Sequence, residues 1–360
     1  MSDQSAQLQR QILSACKNNT ALRIEGANSK HFLGNPSEGD IISTLDHRGI
    51  IHYDPSELVI TARSGTPLME IRQTLAEHHQ MLAFEPPAYD HDGDQPATLG
   101  GTIACNLSGP ARPYAGAARD FVLGCTLING KGERLQFGGQ VIKNVAGYDA
   151  SRLMAGAYGT LGLLLEVSLK VIPIPHSETT LRFAASPGQA IETMNRLAGQ
   201  ALPLSASCYF DGHVAIRLSS SEKNTAAASK RLGQTLNARP LDDSAAFWQE
   251  IREQRHAFFN TTQTLWRLSM PCTGQPLTFE GEQLLEWGGA CRWLKTDMDA
   301  ASVREGVRAA GGHATAYRNR PPGTDCFQPL DERLMILQQG LKKAFDPAGI
   351  LNPGRLYPAL

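Results

Sequence analysis

Four segments of the 360-residue chain hold residue types able to grip a phosphorylated, ring-bearing ligand. In Ile24-Glu25-Gly26-Ala27-Asn28-Ser29-Lys30, an apolar run ends in small residues followed by a lysine. Successive N–H groups in such a turn form an anion-binding nest, and Lys30 adds a positive charge. Taken alone, a plain tight turn is the better account of these residues. In Thr98-Leu99-Gly100-Gly101-Thr102-Ile103-Ala104-Cys105-Asn106, followed by Ser108-Gly109-Pro110, paired glycines allow the backbone to lie against a flat ring. Thr, Asn and Ser offer adjustable hydrogen bonds to a polar ring edge. The third segment is Gly116–Gly124, where a structural ion pair also explains Arg119 beside Asp120. The fourth is Lys143–Asp149 followed by Gly156-Ala157-Tyr158-Gly159-Thr160-Leu161-Gly162.

Other chemistries are excluded by what the sequence lacks. No G-x-G-x-x-G follows a strand and no G-x-x-x-x-G-K-[ST] occurs, so neither common nucleotide fingerprint is present. Cys16, Cys105, Cys125, Cys208, Cys272, Cys291 and Cys326 include no C-x-x-C pair, so no iron–sulfur cluster or zinc ribbon is expected from this chain alone. His91-Asp92-Gly93-Asp94 offers one imidazole and two carboxylates in a loop, which reads as a solvated acidic loop rather than a metal site. With 34 basic and 35 acidic residues, net charge −1, the chain has no basic surplus for nucleic acid. Scattered cysteines fit a reducing cytoplasm. No run of 18 or more apolar residues exists to span a bilayer, and the N-terminus reads as an amphipathic helix striped by Leu8, Ile12 and Cys16 rather than a signal peptide.

The elements that must position these segments alternate early. Ala21–Glu25 and Leu58–Ala62 read as strands. Thr66 is the expected cap, and Pro67 the first residue, of a helix striped by Leu68, Ile71 and Leu75. Asn129-Gly130 between Val122–Ile128 and Glu133–Phe137 signals a hairpin. A long alternating strand covers Thr160–Ile172. Pro173-Ile174-Pro175 closes it, and all four tryptophans follow, so the expected domains are 1–175 and 176–360. The second half reads as mixed α+β, with a hairpin through Asp211-Gly212 and a final helix striped by Leu334, Leu337, Leu341 and Phe345. Fourteen of the 34 glycines fall between Gly93 and Gly162, which implies backbone brought close to something.

Read in order, these segments resemble the vanillyl-alcohol-oxidase-type (PCMH-type) FAD-binding family and, within it, the small FAD-binding subunits of bacterial glycolate oxidases. The resemblance is carried by Asp54–Val59, Ala97–Pro110, Gly116–Gly124, Lys143–Asp149 with Ser151-Arg152-Leu153, Gly156–Gly162 and the closing Phe345–Leu356. It is weaker between 177 and 329. It implies an α+β, PCMH-type two-subdomain FAD-binding fold with a smaller α+β cap-like C-terminal domain, residues 345–357 returning to the FAD domain.

The resemblance also implies a site. Gly26, Ala27, Asn28, Ser29 and Lys30 would hold the pyrophosphate. Thr98, Leu99, Gly100, Gly101 and Thr102, with Asn106, Ser108 and Gly109, would lie along the flavin and ribityl chain. Gly159, Leu161 and Gly162 would sit near the adenosine part, and Pro87, Cys105 and Arg355 complete the cofactor set. Many members attach the flavin through a histidine in the first loop. Here that loop reads Gly26-Ala27-Asn28-Ser29, and His31 lies two residues on, so FAD is expected to be non-covalent.

Hydroxy-acid dehydrogenases of the superfamily commonly carry His-Gly-x-Gly-Asp-Gly-Asn-x-His, and nothing like it occurs here, so no metal is expected. Oxidising a 2-hydroxy acid needs a proton acceptor, a cation for the carboxylate and a hydride acceptor. Arg267 and Arg318 are the candidate substrate cations. His213 and His313 stand isolated and read as structural, so no base and no catalytic residue is assigned.

Three readings follow. The first is the FAD-binding subunit of a multi-subunit glycolate oxidase, oxidising glycolate and D-lactate to the 2-oxo acid. This chain would relay electrons between a catalytic flavoprotein (FAD) subunit and an iron–sulfur subunit, in the cytoplasm or peripherally on the inner membrane through partners. The second is a self-sufficient flavin-dependent 2-hydroxy-acid dehydrogenase. The third is a non-catalytic scaffold with a vestigial flavin pocket.

Overall fold

The computed structural model describes residues 2–89, 96–139 and 149–360. The acidic loop His91–Asp94 and residues Lys143–Tyr148 of the fourth segment lie outside the described residues. The chain divides into two compact units. The first comprises Met1–Ser108, Ala117–Pro173 and Pro329–Leu360; the second comprises Gly109–Gly116 and Ile174–Gln328. The first unit thus takes in more of the C-terminus than the expected return at 345–357, and the second includes the short 109–116 segment.

The first unit is built on a five-stranded antiparallel sheet in the order Ile50–Asp54, Val59–Arg63, Leu163–Lys170, Val122–Ile128, Arg134–Gly138. The strand Leu163–Lys170 is central, and Leu163, Leu164, Leu165, Val167 and Leu169 are all buried. Glu166 and Lys170 on the other face are half-buried, in keeping with the alternation of Thr160–Ile172, whereas Leu164 and Ser168 on that face are buried as well. One face meets the helices Leu68–Ala76 and Leu99–Cys105 through Leu68, Ile71, Leu75, Leu99 and Ile103. The other meets the N-terminal helix Ser5–Asn18 through Ile128, Leu163 and Leu165 against Leu8, Ile12 and Ala15.

A small parallel pair, Leu22–Glu25 with Asp40–Ser43, forms a further layer. Leu351 bridges to Leu22, so the C-terminal segment extends this layer. The helix Glu332–Phe345 anchors that segment. Lys342 donates to the carbonyls of Thr160 and Leu351 at 2.9 and 2.6 Å and pairs with Asp346 at 2.8 Å.

Two local expectations need correction. The helix Leu68–Ala76 begins after Pro67, which stands at its cap position and makes no side-chain cap. Thr66 instead accepts a hydrogen bond from the Gly49 N–H at 2.9 Å, tying the preceding loop down. The stripe of the final helix is split: Leu341 and Phe345 pack on the core, whereas Leu334 and Leu337 are exposed.

The second unit is an eight-stranded antiparallel sheet. Its order is Arg239–Pro240, Ser177–Ala184, His213–Ser220, Leu204–Phe210, Glu282–Glu286, Cys291–Thr296, Thr264–Ser269, His313–Arg318. The hairpin at Asp211-Gly212 has both turn residues at positive φ (47° and 73°), which matches the right-handed twist of the flanking strands. The helix Pro187–Ala198 packs Ile191, Met194 and Leu197 against Tyr209, Val214 and Ile216. The helix Ala300–Ala309 packs Val303 and Val307 against Trp266, Leu268, Leu294, Ala314 and Ala316.

Candidate cofactor site

The first unit carries a continuous groove. Its two depressions share Ile24, Gly26, Gly101, Ala104, Tyr158 and Asn352. Three elements make its walls: the end of the strand Leu22–Glu25 with the loop after it, one face of the helix Leu99–Cys105, and the turn at Ala157–Gly162. Asn352 joins two of them. Its Oδ1 accepts the Ile24 N–H at 2.7 Å and its Nδ2 donates to the Tyr158 carbonyl at 2.6 Å.

The loop after Ile24 brings Gly26, Ala27, Asn28, Ser29 and Lys30 to the groove as a set. Asn28 takes a left-handed conformation at φ 57°, and the Asn28 amide donates to Glu25 at 2.8 Å. Among the described residues, the N–H groups of Gly26, Ala27 and Ser29 donate to no protein acceptor. Unpaired N–H groups on successive residues suit an anion. Lys30 is buried, with Nζ 3.2 Å from Ser29 Oγ and 3.4 Å from the Ala88 carbonyl, so its charge stands beside the loop.

The segment beginning at Thr98 folds as a helix rather than as bare backbone laid on a ring. Thr98 caps it, accepting the Gly101 N–H at 3.4 Å. Helical spacing then sorts its residues into two faces. Gly100, Gly101, Ala104 and Cys105 line the groove. Leu99, Thr102 and Ile103 are buried, and neither Leu99 nor Thr102 lines either depression, although the Thr102 hydroxyl, like that of Ser64, has no partner. Gly26 passes directly beneath this helix: a Cβ there would stand 2.6 Å from Thr98 Oγ1.

Other expected residues act around the groove rather than in it. Asn106 ends the helix at φ 50° and its Oδ1 accepts the Arg119 N–H at 3.1 Å. Ser108 Oγ accepts the Ala118 N–H at 2.9 Å. Gly109 belongs to the second unit, where its carbonyl accepts from Trp287 Nε1 at 3.0 Å. Pro87 is buried and lines neither depression. Gly159 and Gly162 line the groove, but Leu161 faces a separate depression of about 570 Å³ beside Arg119, Arg152 and Tyr357. Arg355 lines the groove while its guanidinium donates to the carbonyls of Asn35 at 2.8 Å, Leu33 at 2.6 Å and His31 at 3.2 Å. It therefore braces the loop that follows Lys30.

Sequence reasoning missed Ser64, Tyr158 and Asn352 as groove residues. Ser64 is fully buried at the groove wall, its Oγ has no partner, and its main chain joins the Leu165 carbonyl and the Gly100 N–H, both at 2.7 Å. A buried hydroxyl without a partner costs roughly 1–3 kcal/mol, and a ligand hydrogen bond removes that cost. Unpaired N–H groups, a glycine-faced helix and this hydroxyl together fit a long ligand with a phosphate segment and hydrogen-bonding groups. FAD is such a ligand. Gly26, Ala27 and Ser29 would hold its phosphates through N–H groups, and Ser64 and the Gly100–Gly101 face would meet the remainder.

Arg267 and Arg318, the candidate substrate cations, lie in the second unit on neighbouring strands. Arg267 is opposite Thr315, and Arg318 is opposite Leu265 beyond a register shift. The Arg267 guanidinium lies over the rings of Trp287 at 4.9 Å and Trp293 at 5.9 Å.

The FAD binding domain family matches residues 3–138, so the chain carries an FAD-binding domain and its cofactor is FAD. Alkyldihydroxyacetonephosphate synthase shares the fold, with a TM-score of 0.67 at 15% identity over 98% of this chain and 76% of that one. The glycolate oxidase subunit GlcE of Escherichia coli (strain K12) is 46% identical over 358 residues, covering 99% of both chains. The chain belongs to that glycolate oxidase subunit family. The glycolate oxidase subunit GlcD of Bacillus subtilis (strain 168) is 29% identical over 173 residues, 47% of this chain and 36% of that protein. Among the described residues, no helix is long and apolar enough to cross a membrane.

Proposed function

We propose that the chain is the FAD-holding subunit of a multi-subunit enzyme that oxidises glycolate, and D-lactate as a second substrate, to the 2-oxo acid. The observation that carries this reading is the 46% identity to a glycolate oxidase subunit over 99% of both chains, with the glycine-walled groove lying in the matched part. Bound FAD supplies a two-electron acceptor. The loop Gly26–Lys30 orients its phosphates, the helix Leu99–Cys105 supports it, and Asn352 and Arg355 hold the surrounding segments in place. The first unit, with its returning C-terminal segment, acts as the FAD domain and the second as the cap, with Arg267 and Arg318 as the candidate carboxylate cations.

The subunit relays electrons between a catalytic flavoprotein partner and an iron–sulfur partner. Supporting this division of labour, the chain has no closely spaced cysteines of its own for a cluster. The flavin is non-covalent: the loop that faces the phosphates has no histidine, and the nearby His31 ring is engaged with the Asn28 carbonyl at 3.0 Å. The test is anaerobic. The purified single chain with FAD should bleach slowly or not at all with glycolate, while the assembled enzyme bleaches rapidly. Rapid full bleaching of the single chain would reject the relay and establish a self-sufficient dehydrogenase.

A further inference from the structure

In the first unit, His47 stands between the N-terminus and the groove. Its ring is fully buried, and the two ring nitrogens have different partners. Nδ1 accepts the Gln4 N–H at 3.0 Å, so that nitrogen carries no proton, and the Nε2–H donates to the Leu165 carbonyl at 3.1 Å. The Leu165 carbonyl also accepts the Ser64 N–H at 2.7 Å. One oxygen is thereby shared between the imidazole and a residue of the groove wall.

The main chain of His47 makes the same connection a second time. Its N–H donates to the Thr44 carbonyl at 3.0 Å, and its carbonyl accepts the Gly65 N–H at 2.9 Å. Thr44 and Ser64 both line the groove. Gly65 permits this close join, since a Cβ there would overlap the Thr44 carbonyl oxygen. Residues 44–49 and 64–65 thus form one wall with His47 at its centre.

On the side away from the groove, the N-terminal residues close over the ring. Ser2 and Arg48 exchange N–H···O bonds at 3.0 and 3.1 Å, and Gln4 supplies the bond to Nδ1. Three charged groups face the ring from the elements around it. Asp3 of the N-terminal segment has a carboxylate oxygen 3.7 Å from Nδ1, Arg63 ends the strand Val59–Arg63, and Glu166 lies on the strand Leu163–Lys170. Burial is the largest influence and keeps the ring neutral; Asp3 and Glu166 oppose it and Arg63 adds to it. A proton on Nδ1 would point at the Gln4 N–H, and the ring would have to turn toward the Asp3 carboxylate. That turn draws Nε2 away from the Leu165 carbonyl.

We infer that His47 is a positioning residue of the cofactor groove: its neutral ring, latched by Gln4, holds Thr44 and Ser64 in place, and its protonation loosens that wall and weakens cofactor binding. Gln4 lines neither depression, so the N-terminal segment acts on the site only through His47. The inference rests on the reading that the groove holds FAD.

FAD titration of the purified full chain between pH 8 and pH 5 tests it, with circular dichroism recording that the chain stays folded at each pH. His47→Gln can still direct an amide N–H to the Leu165 carbonyl and cannot titrate. At pH 8 its affinity should lie within about threefold of wild type. The ratio of wild-type to His47→Gln affinity should be constant above pH 6.5 and fall by about three- to tenfold by pH 5, because the form that binds best carries no proton on Nδ1. His31, which also lines the groove, is present in both chains, so its own titration cancels in that ratio. His47→Ala breaks both ring bonds and should bind FAD about tenfold or more weakly at pH 8. His52→Gln, exposed on the strand Ile50–Asp54, should keep the wild-type profile. The inference is overturned if the ratio does not change with pH, or if His47→Ala binds as tightly as wild type at pH 8. If His47→Ala does not fold, the ratio alone decides. A wild-type chain that binds no FAD at any pH overturns instead the reading that the groove is the cofactor site.

Discussion

Asn352 donates its side-chain N–H to the main-chain carbonyl of Tyr158 at 2.6 Å, across 194 residues of sequence. The same side chain accepts the Ile24 N–H, so one buried amide fixes the spacing between two walls of the groove. Asn352→Ala removes both bonds, one from the Ile24 N–H and one from the Tyr158 carbonyl. The expected cost is about 2–3 kcal/mol of stability, with FAD held at least about tenfold more weakly. Denaturant unfolding and an FAD titration measure the two effects separately. Unchanged FAD affinity at reduced stability would show that the spacing does not matter to the cofactor.

Gly26 lies where a methyl group would strike the cap of the glycine-faced helix, 2.6 Å from Thr98 Oγ1. Gly26→Ala must push Thr98 off the Gly101 N–H or move the loop away from the groove. FAD affinity should fall by about tenfold or more. Gly188→Ala is the matched control, because its Cβ meets nothing nearer than Pro276 Cγ at 3.9 Å at the start of the helix Pro187–Ala198, and Ala favours that helix by up to about 1 kcal/mol. Its FAD affinity should equal that of wild type.

Lys342 is buried, and burial pulls its ammonium below the ordinary lysine range, with Asp346 opposing that shift. Asp346 in turn accepts the N–H groups of Ile350 at 3.2 Å and Leu351 at 2.7 Å. Lys342→Met leaves this carboxylate and two carbonyls without their cation. A loss of about 3–5 kcal/mol is expected, visible as a fall in the urea midpoint with an unchanged slope. A change below about 1 kcal/mol would mean that the cluster is solvated.

His47 is fully buried and neutral by its bonding: Nδ1 accepts the Gln4 N–H at 3.0 Å, and Nε2 donates to the Leu165 carbonyl at 3.1 Å. Burial is the largest cause holding it below its ordinary value of 6.5, opposed by Asp3. Because the folded value is depressed, the unfolded chain takes up the proton first. Stability from this site is complete above pH 6.5 and is lost as pH falls through the folded value. The unfolding midpoint should therefore drop between pH 7 and pH 5, and the slope should flatten in His47→Asn. An identical slope in the variant would assign the pH dependence to His256 and His313, whose values are also lowered.

Short-range features were readable in the sequence because their causes are local. The Asn129-Gly130 hairpin and the stripe of the N-terminal helix follow from turn geometry and periodicity. The helix Leu99–Cys105 was not, because Gly100 and Gly101 lower helix propensity and its stability comes from Leu99 and Ile103 in the core. Thr66 shows the same limit: a hydroxyl placed to cap the next helix serves the Gly49 N–H instead. Gly130 reads as a plain turn residue, yet its N–H donates to the Phe345 carbonyl and Asp346 leaves no room for a Cβ there. Asn352 and Ser64 acquire their roles only when distant segments meet, and no spacing rule signals that.

Titrating the purified full chain with FAD tests most directly the proposal that the groove behind Gly26 and Ser64 holds FAD without a covalent bond. One flavin per chain is expected, released completely on denaturation, with affinity reduced in Ser64→Ala and Gly26→Ala. A chain that takes up no FAD, or one that keeps its flavin attached after denaturation, would contradict it.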